Sequence, residues 1–470
     1  MSKTLQQLHN ELKTGSVTID ALVEMYKKTI LEKDKDVHAL LGMYQDSLVL
    51  SQIEKAKEMF AKGTATLLTG IPVVLKDNIL VKGEIATGGS KILEHYVATY
   101  DATVVMKLKE AGAILLGRAN MDEFAMGGST ENSAYGVTKN PWNIKHVAGG
   151  SSGGSAAVVA YQGVPISIGS DTGGSVRQPA SFCGIVGLKT TYGSVSRYGL
   201  MAMGSSLDQI GPFAHSVEDV KAVYEIIKGH DPLDSTSLLN EVKEKKEYQI
   251  KKIIGVPYSF ISREGIDTEV LANFNASIEK LQQAGYVIKD ISVEHLEKAL
   301  SAYYVIMFAE VSSNLARYDG IRYGLSHPGE TSIRGYFESR TAGFGKEVRR
   351  RILLGTYVLS SGYYDAYYNK ANLVRIKLKK EFERVFETID VIAMPTSPVP
   401  AFAIGEKSKD PLTMYLADIF TVPVNIAGVP AITIPSGKTN SGLPLGLQFI
   451  AKHNHEEILF TIGGDFEKLR

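Results

Sequence analysis

The chain has 470 residues, 44% of them hydrophobic and 22% charged, with 51 basic and 51 acidic side chains. Those fractions are ordinary for a soluble globular protein, and the zero net charge removes any global electrostatic pull toward nucleic acid or anionic membrane. A single cysteine, Cys183, excludes an internal disulfide and fits a reducing compartment. No run approaches 18 uninterrupted apolar residues, and the polar start MSKTLQQLHNELKTG lacks the apolar core of a secretion signal, so the expected location is cytoplasmic.

Residues 1–62 read as helical. Leu5, Leu8 and Leu12 fall at i, i+3 and i+7, and Thr18 can cap a helix carrying Leu22, Val23, Tyr26 and Ile30. From 63 to 225 the texture changes. More than half of the 45 glycines lie here, between short apolar runs such as 71–75 and 113–116 that suit buried strands, with a connecting helix at 101–111. Residues 226–300 are more charged and repeat the rhythm, with strands at 253–256 and 286–288 around a helix at 267–284. Residues 300–390 read as mostly helical and are rich in tyrosine and arginine, with Arg349, Arg350 and Arg351 read as helix-face charges. Strands return at 390–394, 431–434 and 445–450, followed by a short helix. Alternating strands and helices predict an α/β layer architecture. Without a linker or repeat, one domain over 1–470 is favoured, with 226–390 as a helical insertion region and 391–470 completing the sheet of the 63–225 core.

Chemistry-bearing residues concentrate in the glycine-rich part. In Gly149–Ala160 two serines, Ser151 and Ser152, sit in a glycine turn that feeds a helix, where backbone N–H groups are free for an anion. The stretch Gly169–Ala180 holds Ser175, and Lys76 ends an apolar strand. Taken singly, each has a plainer reading: glycine–serine turns are usually only turns, and such a lysine normally snorkels to water. The elbow motif of α/β hydrolases matches at Ser151 but lacks a well-placed later histidine. No phosphate-binding loop, HExxH or paired CxxC is present, so no metal is expected. Cys183, with no base nearby in sequence, reads as a buried, inert thiol.

Taken together, the three features are distinctive. Lys76 precedes Ser151 by 75 positions, Ser175 follows 24 later, and the stretch GGSSGGSAAV…GSDTGGSVRQPASFCGIVGLKTTYG surrounds the two serines. In spacing and local sequence the chain resembles the amidase-signature family over nearly its whole length. That resemblance implies a large mixed central sheet covered by helices on both faces. It also implies Ser175 as nucleophile, Ser151 as bridging serine with a cis peptide bond, and Lys76 as base. An unperturbed lysine, with a pKa of about 10.4, is a poor base at neutral pH, so burial without a fixed counter-charge would have to leave the amine neutral. Backbone N–H groups of Thr172, Gly173, Gly174 and Ser175 would then converge on the developing oxyanion, each worth about 3–4 kcal/mol of transition-state stabilisation.

Four further stretches, 117–143, 312–324, 343–368 and 420–435, are similar to the glutamine-hydrolysing subunits of tRNA-dependent amidotransferases within that family. The form at Gly128 and Val137 differs mildly from theirs. The resemblance implies free glutamine as substrate, with Arg351 for its carboxylate, Asp418 for its ammonium group and a tyrosine hydroxyl from Tyr303, or equally Tyr304. It implies no cofactor in this chain, ATP and Mg used by an assembled heterotrimer with partner subunits B and C, and glutamyl- or aspartyl-tRNA as acceptor. Two other readings stay open at this point: a stand-alone amidase for small or fatty amides, and a catalytically dead scaffold.

Overall fold

The computed structural model describes residues 3–239, 250–407 and 410–470; the charged run at 240–249 lies outside them. Thirteen strands are formed among the described residues: β1 (Leu40–Met43), β2 (Pro72–Lys76), β3 (Ile114–Ala119), β4 (Lys139–Asn140), β5 (Asn143–Val147), β6 (Ile166–Asp171), β7 (Val186–Lys189), β8 (Gln209–Ala214), β9 (Ile253–Val256), β10 (Val287–Asp290), β11 (Val391–Pro395), β12 (Ala431–Lys438) and β13 (Pro444–Ala451). Eleven make one sheet in the order β1-β3-β2-β6-β8-β7-β12-β13-β11-β9-β10, and β4 and β5 make a separate hairpin. The sheet is mixed. Strand β2 runs parallel to both β3 and β6, whereas β8 is antiparallel to β6 and β7, and β13 to β11 and β12.

Every residue of β2, β6, β7, β8 and β11 is buried, which requires cover on both faces. The edges differ: β1 and β10 are short and partly exposed. That pattern explains why the central strands read as continuous apolar runs rather than as alternating ones. The late strands β11–β13 lie between β7 and β9, so the C-terminal part sits inside the sheet, and β9 and β10 carry the 226–390 region to its far edge.

The N-terminal helices form as their sequence dictates. Leu5, Leu8 and Leu12 are buried along one face of Leu5–Thr14, and the Thr18 side chain accepts from Ala21 N at 3.2 Å to start Ile19–Val37. One element in this stretch departs from the helical reading of 1–62. Residues Leu40–Met43 pair with β3, Leu40 opposite Ala119, because four residues containing Gly42 are too few to show a period and the pairing partner lies far along the chain. The arginine run also divides: Arg349 and Arg350 face outward while Arg351 is buried.

Candidate active site

Parallel strands β2 and β6 deliver Lys76 and Ser170 to the same end of the sheet, the position where open α/β sheets commonly place their sites. Lys76 is fully buried, and its Nζ stands 2.7 Å from Ser151 Oγ, 3.0 Å from Ser170 Oγ and 3.4 Å from the Ser170 carbonyl. It makes no ion pair among the described residues. Burial pushes its pKa down to about 7, against the opposing pull of Asp122, Asp171 and Asp208. A lysine that normally carries a charge is therefore brought into the range where its neutral form is well populated at physiological pH.

Ser151 follows a cis peptide bond from Gly150. The turn around it is crowded enough to require its glycines. A Cβ on Gly150 would collide with Asp122 Oδ2, and one on Gly154 with the Ala39 carbonyl. Gln178, from the helix Arg177–Cys183, fastens the turn, accepting from Gly150 N at 2.9 Å and donating to the Gly128 carbonyl at 2.7 Å. The helix amides that sequence alone left free for an anion are in fact taken. Ser152 N donates to the Ser175 carbonyl at 3.3 Å, Gly153 N to Thr130 Oγ1 at 3.1 Å and Gly154 N to the Asn120 carbonyl at 3.1 Å. A buried helix start must find partners, and here it finds them in the protein.

Asp171 organises the second loop. Its carboxylate accepts from Gly174 N at 2.8 Å, Val176 N at 3.1 Å and Asn425 Nδ2 at 2.9 Å, and Arg177 grips it through Nε and Nη2, both at 3.1 Å. Burial alone would raise the Asp171 pKa, but the Arg177 guanidinium overrides it and holds the carboxyl well below the usual range. The loop so shaped presents Ser175, 7% exposed, and leaves the amides of Thr172, Gly173 and Ser175 without a partner among the described residues. Gly174 differs from expectation: its N–H is spent on Asp171, so it shapes the loop rather than offering a donor. Thr172 is tied down through its hydroxyl to Asp208 at 2.7 Å.

The expected pocket residues come together from two helices, Leu296–Asn314 and Lys346–Val358, and from the turn after Pro411–Leu416 that holds Asp418. The Tyr303 hydroxyl lies so close over Gly173 that a Cβ there would collide with it. Tyr304 donates to Asp418 Oδ2 at 2.8 Å and stacks on Tyr415 with ring centroids 4.1 Å apart. Both tyrosines thus reach the site, which sequence could not choose between. Desolvation pushes the Asp418 carboxyl up to about 7. Arg351 Nε donates to Glu347 Oε1 at 2.8 Å, the Tyr415 hydroxyl reaches the same oxygen at 2.8 Å, and the guanidinium lies 5.5 Å from the Tyr415 ring. Gln178, Asp122, Asp208, Glu347, Tyr415 and Ser170 were not singled out from sequence. Ser170, Gln178, Asp122 and Glu347 left a trace there, as members of stretches already marked; Asp208 and Tyr415 left none.

Cys183 is fully buried, with its Sγ 3.3 Å from the Ala148 carbonyl, and burial raises its thiol pKa, so it is unreactive at neutral pH. No helix among the described residues is long and apolar enough to cross a membrane.

The mixed α/β sheet thus sets a buried amine at a strand end against a serine hydroxyl, and the family model for amidases matches residues 21–460. The chain belongs to the amidase family. It is 52% identical to the A-type subunit of the glutamyl-tRNA(Gln) amidotransferase of Thermoanaerobacter pseudethanolicus, covering 99% of this chain and 96% of that one. The protein of the same name from Geobacillus thermodenitrificans is 49% identical, with the same coverage. Among solved structures, the corresponding glutamyl-tRNA(Gln) amidotransferase chain of Thermotoga maritima superposes with a TM-score of 0.79 at 41% identity, over 98% of this chain and 93% of that one.

Proposed function

We propose that this chain is the glutamine-hydrolysing subunit of a glutaminyl-tRNA-forming amidotransferase, an amidase-type enzyme that releases ammonia from free glutamine. The observation that carries the chemistry is Lys76: buried, unpaired with any acid among the described residues, and 2.7 Å from the Ser151 hydroxyl. Full-length identity near one half to amidotransferase subunits supports the substrate and the assembly.

In the proposed reaction neutral Lys76 takes the Ser151 proton as Ser151 takes that of Ser175. The Ser175 oxygen attacks the side-chain amide carbon of glutamine, and the resulting oxyanion is met by the free amides of Thr172 and Gly173, with that of Ser175. Lys76 then returns the proton through Ser151 to the leaving nitrogen, and ammonia departs. Water, activated by the same relay, hydrolyses the γ-glutamyl ester and frees glutamate.

Arg351 and Asp418 suit the two charges of a free amino acid, the guanidinium for its carboxylate and the carboxyl for its ammonium group. Glu347 holds Arg351 in place and buffers its charge. Burial and an arriving ammonium act oppositely on Asp418, so bound glutamine would return that carboxyl to its ionised form. The ammonia would serve partner subunits B and C, where ATP and Mg activate glutamyl-tRNA(Gln), in a cytoplasmic heterotrimer. This chain itself would need neither cofactor nor metal.

The test is a Ser175→Ala chain co-expressed with B and C subunits. Glutamine-dependent amidation of tRNA should vanish while amidation from added ammonium persists. Continued release of ammonia from glutamine would defeat the scheme.

A further inference from the structure

The relay needs more than a neutral amine: the lone pair of Lys76 must point at Ser151 and nowhere else. A neutral amine carries two hydrogens and one lone pair. Two of the three polar atoms around Nζ belong to a single residue, Ser170, through its hydroxyl at 3.0 Å and its carbonyl at 3.4 Å. The carbonyl can only accept. The hydroxyl could do either, and a hydroxyl donating into the amine would occupy the lone pair and silence the base.

Asn78 biases the choice toward accepting. It sits two residues beyond Lys76, is buried at 2% exposure, and its Nδ2 lies 3.0 Å from Ser170 Oγ. Its Oδ1 takes no hydrogen bond, so among the described residues the side chain's hydrogen bonding goes to Ser170. The Asn78 amide fills one lone pair of Ser170 Oγ and the other lies open to a Lys76 hydrogen at 3.0 Å, so the hydroxyl can meet the amine as an acceptor. Both hydrogens of neutral Lys76 are thereby directed at Ser170, which leaves the lone pair for Ser151.

We infer that Ser170, held by Asn78, is a positioning residue that aims the lone pair of Lys76 at Ser151. This rests on the Ser175–Ser151–Lys76 reading above and deepens it. When the amine gains the Ser151 proton, its third hydrogen points back along the same 2.7 Å contact while the Ser170 contacts stay as they were. One scaffold therefore serves both protonation states, and only the Ser151 contact reverses. The charges facing Lys76 come from other elements, Asp122 after β3, Asp171 at the end of β6 and Asp208 before β8, and all remain in a Ser170 variant.

The experiment reads the relay without depending on glutamine. The full chain, co-expressed with B and C subunits, is labelled at Ser175 with a small fluorophosphonate across pH 5 to 9. Ser170→Ala should label about 10–100-fold more slowly, the size of a misdirected general base. Its acid limb should also move to lower pH, because the ammonium form loses an acceptor. Asn78→Asp should move the limb the other way, since a carboxylate behind Ser170 favours the ammonium. It is the deciding variant if Ser170→Ala does not fold.

Labelling of Ser170→Ala at the unaltered rate, or a loss that only tracks folded protein with the limb unmoved, overturns the inference. So does an unmoved limb in Asn78→Asp. Failure of the unaltered chain to label would instead remove the underlying triad, and this inference with it.

Discussion

Two lysines are buried in this sheet to the same degree, and only one of them faces hydroxyl groups among the described residues. Lys76 ends β2 and Lys189 ends β7; both are essentially unexposed, and burial pushes both down to about 7. Their partners differ. Lys76 meets two hydroxyls, which can give or take a proton, whereas Lys189 Nζ meets the carbonyls of Thr190 at 3.0 Å and Val429 at 2.9 Å, which can only accept. Lys189 therefore ties strand ends together through its N–H groups, and its lone pair has no proton to collect. A lowered pKa makes a lysine available as a base, but the hydrogen-bonding character of its neighbours decides whether it becomes one.

Exchanging the two environments' chemistry gives the largest expected effect. Lys76→Met should cost about 10³–10⁴-fold or more in glutamine hydrolysis, as loss of a unit of a catalytic triad does, with circular dichroism unchanged. Lys189→Met should leave turnover per folded molecule nearly intact. A Lys189→Met chain as inactive as Lys76→Met, at equal folded concentration, would break the comparison.

The pH profile sharpens it. The relay needs the neutral amine, so kcat/KM for glutamine should fall as pH drops through about 7, where Lys76 gains its proton. Asp418, raised to about 7, loses its charge over the same interval, so KM should rise there as well. Fluorophosphonate labelling, which needs no ammonium pocket, separates the two; labelling that stays flat from about pH 5.5 to 8.5 would remove Lys76 as the titrating base.

Next in size is the pocket. Asp418→Asn should raise KM for glutamine by about 10–100-fold, the scale of a lost charge-assisted contact, with a smaller change in kcat. Steady-state kinetics read the split. For Lys189→Met the expected change is in stability, about 1–3 kcal/mol for two buried carbonyls left without a donor, measured by denaturant unfolding. The smallest effect is at Gly128, where a Cβ would find its nearest neighbour, Met414 Sδ, at 3.7 Å. Gly128→Ser should therefore fold normally and change stability by less than about 0.5 kcal/mol, with any effect confined to KM because Asp418 Oδ1 lies 3.9 Å away.

Much of this was legible in the chain itself. Buried strands announced themselves as short apolar runs, the helices at 103–110 and 268–283 as helical segments, and the motifs at Lys76 and Ser151 marked two residues that the fold brings to 2.7 Å. Strand β1 did not, because a four-residue edge takes its structure from a partner strand far along the chain. The helix amides after Ser152 looked free because sequence shows a donor but not the Thr130 hydroxyl or Asn120 carbonyl that meets it. Gly174 looked like an oxyanion donor for the same reason, since its engagement by Asp171 depends on how the loop folds back.

Residue type and local order determined which groups could react: an amine, two hydroxyls and a loop small enough to expose its amides. Only the tertiary structure decided how they are placed. It stripped water from Lys76, sent Arg351 inward while its two neighbours stayed outside, and set Ser170 rather than a carboxylate against the amine. Desolvation and hydrogen-bond direction depend on atoms brought together from distant parts of the chain, and no window of sequence contains them.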